Sequence, residues 1–489
     1  MNRHLFYSIV FFLAAAFPDD AANPEGYYKV LFSDGGVGLN SVKTMPAADY
    51  LGYSWEFIGH NTTSLQNEVL IGNAHDDNGV LLYPDGEPRF QILYTNGGHS
   101  REHGASLGPE GRERVRSFYY RGGSYSGSCG GAYIATVDDS AYYHIWPGSI
   151  NGCGVGYSEV GGVIPPNSPL LNYYDFGNDN YIAKIVHHFG GYCTNLPPKT
   201  EILLIHDKPE TGLHDNPSCI AYKDNDTTGR IVIMNSHPEN EWGGELRDYM
   251  AAVLQYALAG LAPPGIKGSL AKGVKHYMNK STADNDPLHT KIGDKQYHHF
   301  TVDIPDGATN LTVTLDGNDA FNFNLYVNKD TFALAGLADF ADTSQGADKA
   351  ITVDTAAYGT WYVGVECATT VVAEKTSFGY DYSGQLEVLN GVDYTIQADW
   401  ENTGIIGSGK DLFTENAFSV TKKNRRICIT VNTAKRFSLA VYNVRGCLCR
   451  APTKTGGISH FTWKPSGPGV YIVTLTSLKG TVTRRVTFF

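Results

Sequence analysis

The tightest constraint in this sequence is a run of five residues, Gly127-Ser128-Cys129-Gly130-Gly131. A side chain held on a sharp strand-to-helix turn needs tiny neighbours two residues to either side, because the turn brings those backbones together. Gly127 and Gly131 meet that need. Residues 123–126 read as the strand entering the turn and residues 131–136 as the helix leaving it. The pattern is that of a nucleophile elbow with Cys129 at its tip. A helix N-terminus behind the thiol favours the thiolate form. The same frame also fits a structural cysteine in a Gly-rich loop, since free Cys packs as a small hydrophobe.

The surroundings of this turn read as α/β. Short apolar runs at 28–32, 91–94, 201–205 and 230–235 are strand-like, and the first two end in Ser33-Asp34-Gly35-Gly36 and Thr95-Asn96-Gly97-Gly98. Residues 112–120 and 245–261 are helix-like, the latter stopped by Pro263-Pro264. Strands alternating with helices imply an open, mostly parallel, flavodoxin-like sheet over residues 27–262. Residues 263–285 read as a linker. From 286 to 400 the helical pattern gives way to alternating runs such as Leu311-Thr312-Val313-Thr314-Leu315 and Thr360-Trp361-Tyr362-Val363, which predict a β-sandwich. Residues 415–489 predict a second, smaller one. The expected fold class is therefore multidomain: a parallel α/β sheet with an elbow, then two all-β sandwiches.

Charge separates the last module from the rest. Thirteen of the 38 Lys and Arg residues follow residue 420, with no Asp or Glu among them. The first 420 residues then hold 25 basic residues against all 50 acidic ones. An acidic body argues against nucleic acid as a partner. At the other end, Arg3 precedes the apolar run Leu5 to Leu13 and Ala14-Ala15-Ala16, the pattern of a signal peptide over residues 1–22. That run is too short for a stable membrane span. Export permits disulfides among the eight cysteines. Cys153, Cys193 and Cys219 could supply one bridge, and Cys428 could pair with Cys447 or Cys449.

A thiol nucleophile needs a base and a group to orient that base. His237-Pro238-Glu239 follows the strand-like run at 230–235, which would bring His237 to the sheet edge that carries Cys129, with Glu239 fixing its tautomer. The backbone N–H groups of Gly130 and Gly98 are the candidate oxyanion donors. No cofactor is implied. His187-His188 and His298-His299 are unpromising as metal ligands, because adjacent residues on a strand face opposite ways and no carboxylate cluster accompanies them. Asn61-Thr62-Thr63 matches a glycosylation acceptor.

These motifs carry three resemblances. Residues 28–260 resemble the class I glutamine amidotransferase superfamily, in the branch similar to the N-terminal domain of fungal-type biotin–protein ligases. The likeness lies in Ser33 to Gly38, the elbow from Gly123 to Tyr133, the segment His188-Phe189-Gly190-Gly191-Tyr192, and His237-Pro238-Glu239. It implies a Cys129, His237, Glu239 triad. Residues 286–400 resemble the pre-peptidase C-terminal domain of secreted bacterial peptidases through Asn322 to Val327, Tyr358 to Val363 and Val392 to Ile396, with Asn322 and Asn324 where the family usually has Asp. Their aromatic residues are candidates for binding glycan or peptide. Residues 415–489 resemble the C-terminal sorting domain of type IX secretion through Val441 to Gly446, Gly467 to Val473 and Arg484-Arg485. That resemblance implies the secretion machinery as a partner and a secreted or surface-bound, outer-membrane location. Together the readings predict a secreted hydrolase acting on an extracellular amide or peptide. The alternative is a non-catalytic binding protein on the same scaffold.

Overall fold

The computed structural model describes residues 29–40, 44–58, 72, 74–239, 241–375, 380–402, 418–423, 426–433, 437–443, 448–450, 453–454, 457–465, 469–477 and 480–488. The proposed signal peptide and Asn61-Thr62-Thr63 lie outside these residues. The chain divides into two compact units, 1–403 and 404–489.

The first unit begins with a nine-stranded sheet. In chain order its region holds β1 (Lys29–Asp34), α1 (Pro46–Tyr50), β2 (Trp55–Ile58), β3 (Phe90–Thr95), α2 (Ser100–Tyr120), β4 (Ser124–Ser128) and α3 (Gly130–Ala135). Then come β5 (Ser149–Gly152), β6 (Ser158–Val163), β7 (Tyr181–His187), β8 (Gly191–Thr194), β9 (Glu201–Asp207), β10 (Pro217–Tyr222), β11 (Ile231–Met234) and α4 (Gly244–Leu258). The order across the sheet is β2-β1-β3-β4-β11-β10-β9-β6-β7, with β5 and β8 forming a separate pair.

Side-chain alternation along the strands decides which helix covers which face. Leu31, Ile92, Tyr94, Val232 and Met234 point into one core with Met250, Val253 and Leu254 of α4. Phe32, Leu93, Tyr125, Ile231 and Ile233 point into the other, with Val115 and Phe118 of α2 and Ile134 of α3. A strand buried on both faces reads as a nearly unbroken apolar run, as Ile231-Val232-Ile233-Met234 does. The expected helix at 112–120 is the second half of α2, which breaks at Gly108 (φ 64) before Pro109.

The sheet differs from the mostly parallel one expected. β2, β1, β3, β4 and β11 are parallel, but β11-β10, β10-β9, β9-β6 and β6-β7 are antiparallel. The cause is connectivity: no helix separates β9, β10 and β11, and strands joined by short loops pair antiparallel.

Residues 263–285, expected as a linker, also differ. Within them β12 (Ile266–Ser269) pairs with β14 (Tyr297–Ile304), and β13 (His276–Met278) pairs with β22 (Tyr394–Asn402). The segment thus edges both sheets of the sandwich that follows. One sheet runs β12-β14-β19-β16-β17, with β16 (Phe323–Lys329), β17 (Phe340–Asp342) and β19 (Gly359–Cys367). The other runs β13-β22-β15-β18, with β15 (Ala308–Gly317) and β18 (Lys349–Val353), while β20 (Val372–Lys375) and β21 (Tyr380–Ser383) form a separate pair. Between them lies a core that includes Phe300, Leu311, Phe323, Val363 and Ile396. Of the aromatic residues singled out in its sequence, Trp361, Tyr326 and Tyr394 are buried as packing, while Tyr358 is exposed. Asn322 Oδ1 accepts from Gly346 N–H, and Asn324 Nδ2 donates to Glu366 Oε2.

The junction between the α/β sheet and this sandwich includes a buried ionic cluster. Asp85 lies 2.7 Å from Lys267 Nζ of β12 and 3.3 Å from His298 Nε2 of β14, all three side chains being buried. Gln296 Nε2 donates to the same carboxylate. His298 Nδ1 meets Tyr394 Oη at 2.9 Å, while His299 turns the other way, towards Phe332.

The second unit holds two sheets among the described residues, Phe418–Lys423, Arg426–Thr433 and Gly457–Trp463 in one, and Leu448–Arg450, Phe437–Asn443, Gly469–Ser477 and Gly480–Phe488 in the other, with Thr453–Lys454 also paired to Phe437–Asn443. Ile427, Ile429, Val441 and Val473 share one small core. Val444 to Gly446, Gly467 and Pro468 lie outside the described residues.

Candidate functional site

The parallel strands of the first unit all end on one edge, and the loops leaving β1, β3, β4 and β11 meet there. Cys129 sits between β4 and α3 with φ 47 and ψ −107, a positive φ that is uncommon outside glycine. Its N–H donates to Met234 O of the neighbouring strand, and its carbonyl accepts from Ala132 and Tyr133 N–H. A Cβ on Gly127 would lie 2.6 Å from the Gly131 carbonyl, which is the physical reason for the small residue there.

His237 and Glu239 follow β11. His237 Nδ1 and Glu239 Oε1 are 2.9 Å apart, with the carboxylate buried and the imidazole mostly so. The other ring edge faces the thiol side of the turn: a Cβ on Gly97 would strike His237 Cε1 and lie 3.3 Å from Cys129 Cβ. Burial acts to lower the His237 pKa, but contacts with Cys129 and Glu239 outweigh it and hold the group up to about 10. Both contacts thus favour the protonated ring. Cys129 Sγ also lies 3.5 Å from the carbonyl of His188, at the turn after β7.

Gly98 and Gly130 meet across the cleft. A Cβ on Gly130 would lie 2.7 Å from Gly98 N. Leu39 and Gly98 form an antiparallel bridge whose hydrogen bonds are Asn40 N–H to Gly97 O and His99 N–H to Gly38 O. Those bonds come from the flanking groups, so Gly98's own N–H, at φ 140, faces away from Leu39 and towards the Cys129 turn. The five residues singled out in the sequence, Cys129, His237, Glu239, Gly98 and Gly130, are thus brought together at one strand-end cleft. Its volume is about 1020 Å³; Cys129, His237 and Gly98 line it with Leu39, Arg101, Tyr133, Tyr142, His188 and Phe189.

Three supports are not visible in sequence. His103 of α2 is buried, with Nε2 2.8 Å from Asp34 Oδ2 and Nδ1 3.0 Å from Val37 O. It ties the loop after β1 against the Gly98 bridge. Tyr94 Oη donates to Ser128 Oγ beneath the turn. Burial, reinforced by the charge of Glu239, keeps that phenol protonated. Behind His237, the buried His187 rests on Ser236 Oγ at 3.2 Å, and burial pushes its pKa down to about 4. Each contact joins residues 34 to 69 positions apart, and no local pattern announces it.

The bridge expected among Cys153, Cys193 and Cys219 does not form: all three are free thiols, as are Cys129 and Cys428. Cys193 instead accepts from Asn235 Nδ2, and Cys219 is buried in the core. Cys428 accordingly has no disulfide to Cys447 or Cys449. Among the described residues no cluster of three or more His, Cys, Asp or Glu is placed to hold a metal, and no helix is long and apolar enough to cross a membrane.

A family model for the bacterial pre-peptidase C-terminal domain matches residues 296–366, within the first sandwich. No curated protein matches the chain. Among solved structures, a glutamine amidotransferase is 15 % identical over 45 % of this chain and 98 % of its own, with a TM-score of 0.28. A ThuA-like protein from Bacteroides uniformis is 10 % identical over 52 % and 96 %, with a TM-score of 0.30. A β-glucuronidase from Ruminococcus gnavus is 10 % identical over 41 % and 37 %, with a TM-score of 0.14.

Proposed function

We propose that the cleft is the active site of a cysteine-dependent amide hydrolase, with Cys129 on a nucleophile elbow. The observation that carries this reading is His237 held between Glu239 and Cys129 and raised to about 10 by both. An imidazolium beside a thiol stabilises the thiolate, the nucleophilic form. Cys129 sulfur attacks the amide carbonyl carbon and a C–S bond forms. The displaced electron pair moves to the carbonyl oxygen, which the Gly98 and Gly130 N–H groups receive. Collapse breaks the C–N bond, and His237 gives its proton to the departing amine. Neutral His237 then takes a proton from water as its oxygen attacks the thioester. A carboxylic acid leaves, and the thiolate–imidazolium pair is restored.

The substrate is an extracellular amide in this proposal. The apolar run and Ala14-Ala15-Ala16 would direct export, and the match at 296–366 is to a domain described as pre-peptidase. Residues 415–489 would then serve type IX sorting. An exported chain would have no ATP-dependent synthetase to receive ammonia, so hydrolysis is favoured over amide transfer. A second reading, a binding cleft without turnover, has one observation in its favour: the Cys129 thiol also reaches the His188 carbonyl.

The deciding experiment is the rate of iodoacetamide labelling at Cys129, followed by peptide mass mapping, with a Cys129→Ala control. The hydrolase reading expects labelling well above that of a free thiol at pH 6 to 7. Labelling at the free-thiol rate would leave only the binding reading.

A further inference from the structure

We propose that the mouth of this cleft is a specificity site for a bulky aromatic side chain of a peptide substrate, with Phe189 as its wall. The inference rests on the amide-hydrolase reading and names the substrate class for that same site.

The first observation is exposure at a strained position. Phe189 is 64 % exposed and lines the cleft. Its φ is 53, a region disfavoured for a bulky residue and common where function fixes the backbone. Glycine would relieve that strain, and Gly190 and Gly191 follow directly. Instead a phenyl ring stands in solvent, anchored by its N–H to Val155 O at 3.0 Å.

The second observation is the company it keeps. The His188 ring lies 5.1 Å from Phe189 at 45°, and Tyr157, itself 74 % exposed, lies 6.0 Å from His188 at 72°. Tilted and edge-on rings at this spacing are the arrangement aromatic groups prefer with one another. An incoming aromatic side chain extends the cluster. A sugar ring would want a flat, open platform, which these crossed rings do not offer.

The third observation is register. The His188 carbonyl is 3.5 Å from Cys129 Sγ, so the aromatic wall begins one residue from the sulfur. A side chain resting there belongs to a residue next to the scissile bond. On the facing wall, the extended bridge of Leu39 with Gly98 ends at exposed Asn40, a shape that suits an extended polypeptide. The volume, about 1020 Å³, reaches the top of the roughly 300–1,000 Å³ range of drug-sized pockets. A single free amino acid amide would leave most of it empty.

Two peptidyl chloromethyl ketones, one with Phe beside the reactive group and one with Ala there, test this without requiring turnover. In each, Cys129 sulfur displaces chloride from the methylene carbon. Rates are divided by the iodoacetamide rate of the same variant. The expected result is a preference for the Phe probe on the order of 10- to 100-fold in the wild type. Phe189→Tyr should keep the preference and Phe189→Gly should abolish it. Phe189→Gly should unfold at no lower temperature than wild type, since glycine is at ease at this φ, so its lost preference is not a folding defect. Equal rates for the two probes in the wild type, or an unchanged preference in Phe189→Gly, would overturn the assignment. So would faster labelling by an amino-sugar chloroacetamide than by the Phe probe. Iodoacetamide labelling at the free-thiol rate would be a different failure, that of the hydrolase reading beneath it.

Discussion

Two histidine–carboxylate pairs in the first unit are built alike and behave as opposites. At the cleft, His237 and Glu239 stand 2.9 Å apart, and His237 is held up to about 10. At the junction, His298 and Asp85 stand 3.3 Å apart, and burial depresses His298 to about 4, with Lys267 adding to the effect and Asp85 opposing it. The difference lies in what else faces each imidazole. His237 has a thiol on its other side and an open cleft in front of it. His298 has a buried ammonium nearby, so Asp85 is already neutralised and a second positive charge gains little. A histidine beside a carboxylate is therefore no mark of function by itself. The third charged or ionisable partner, and access to solvent, decide whether the pair moves protons or holds modules together.

The sharpest way to separate the two sites is to remove one ionisable partner from each. On the proposed hydrolase reading, Cys129→Ala should lower hydrolysis by about 10⁴-fold or more with no loss of folding, measured by turnover and by thermal melting. Asp85→Ala leaves Lys267 buried without its carboxylate and should destabilise the first unit by roughly 3–5 kcal/mol, read from denaturant unfolding. Correcting for the folded fraction, thiol labelling at Cys129 should be unchanged; a lost labelling rate would mean that the pairs are coupled. Glu239→Gln should lower kcat roughly 10²-fold and leave the melting temperature nearly in place.

The pH dependences should run opposite ways. Because the folded pKa of His237 is raised, its proton is held below about pH 10, and kcat should fall as pH rises through about 10. Glu239→Gln should bring that limb to lower pH. His298 is depressed in the folded state, so the unfolded chain binds the extra proton between about pH 6.5 and 4. Its contribution is complete above 6.5, and stability should fall as pH drops across that window. A His298→Gln variant with an unchanged slope in denaturant titrations would remove His298 from the account.

Much of the cleft was legible because its signals are local. The glycines of the elbow stand two residues from Cys129, and Glu239 stands two residues from His237, so each motif lies within one reading window. What joins them was legible only as an inference from strand ends. His103 with Asp34 and Cys129 with His188 are long-range contacts between elements, and sequence spacing holds no record of them. The antiparallel half of the sheet was missed for a related reason. The run Pro217 to Tyr222, which forms β10, is not among the strand-like runs of the sequence, so the direct hairpin-like connections from β9 to β10 to β11 went unseen. The edge strands β12 and β13, four and three residues long, are too brief for alternation to emerge. The sandwich itself was clear from its longer strands, yet Trp361, Tyr326 and Tyr394, among the aromatic residues that suggested a binding face, are its packing, because period-two patterns do not say which face is inward.

The strands within residues 263–285 bear on inheritance. A recombination that cut the gene between 263 and 285 would strip edge strands from the sandwich, and a cut after 285 would also part Lys267 from β14. A transplanted sandwich would need to bring this segment along, and would need partners in its host for Lys267, Thr282 and Asn390, which here meet Asp85, the Pro84 carbonyl and Asp77. Such a pair can be shuffled as a block far more readily than piece by piece, so in this chain the unit of exchange is larger than the unit matched by the family model.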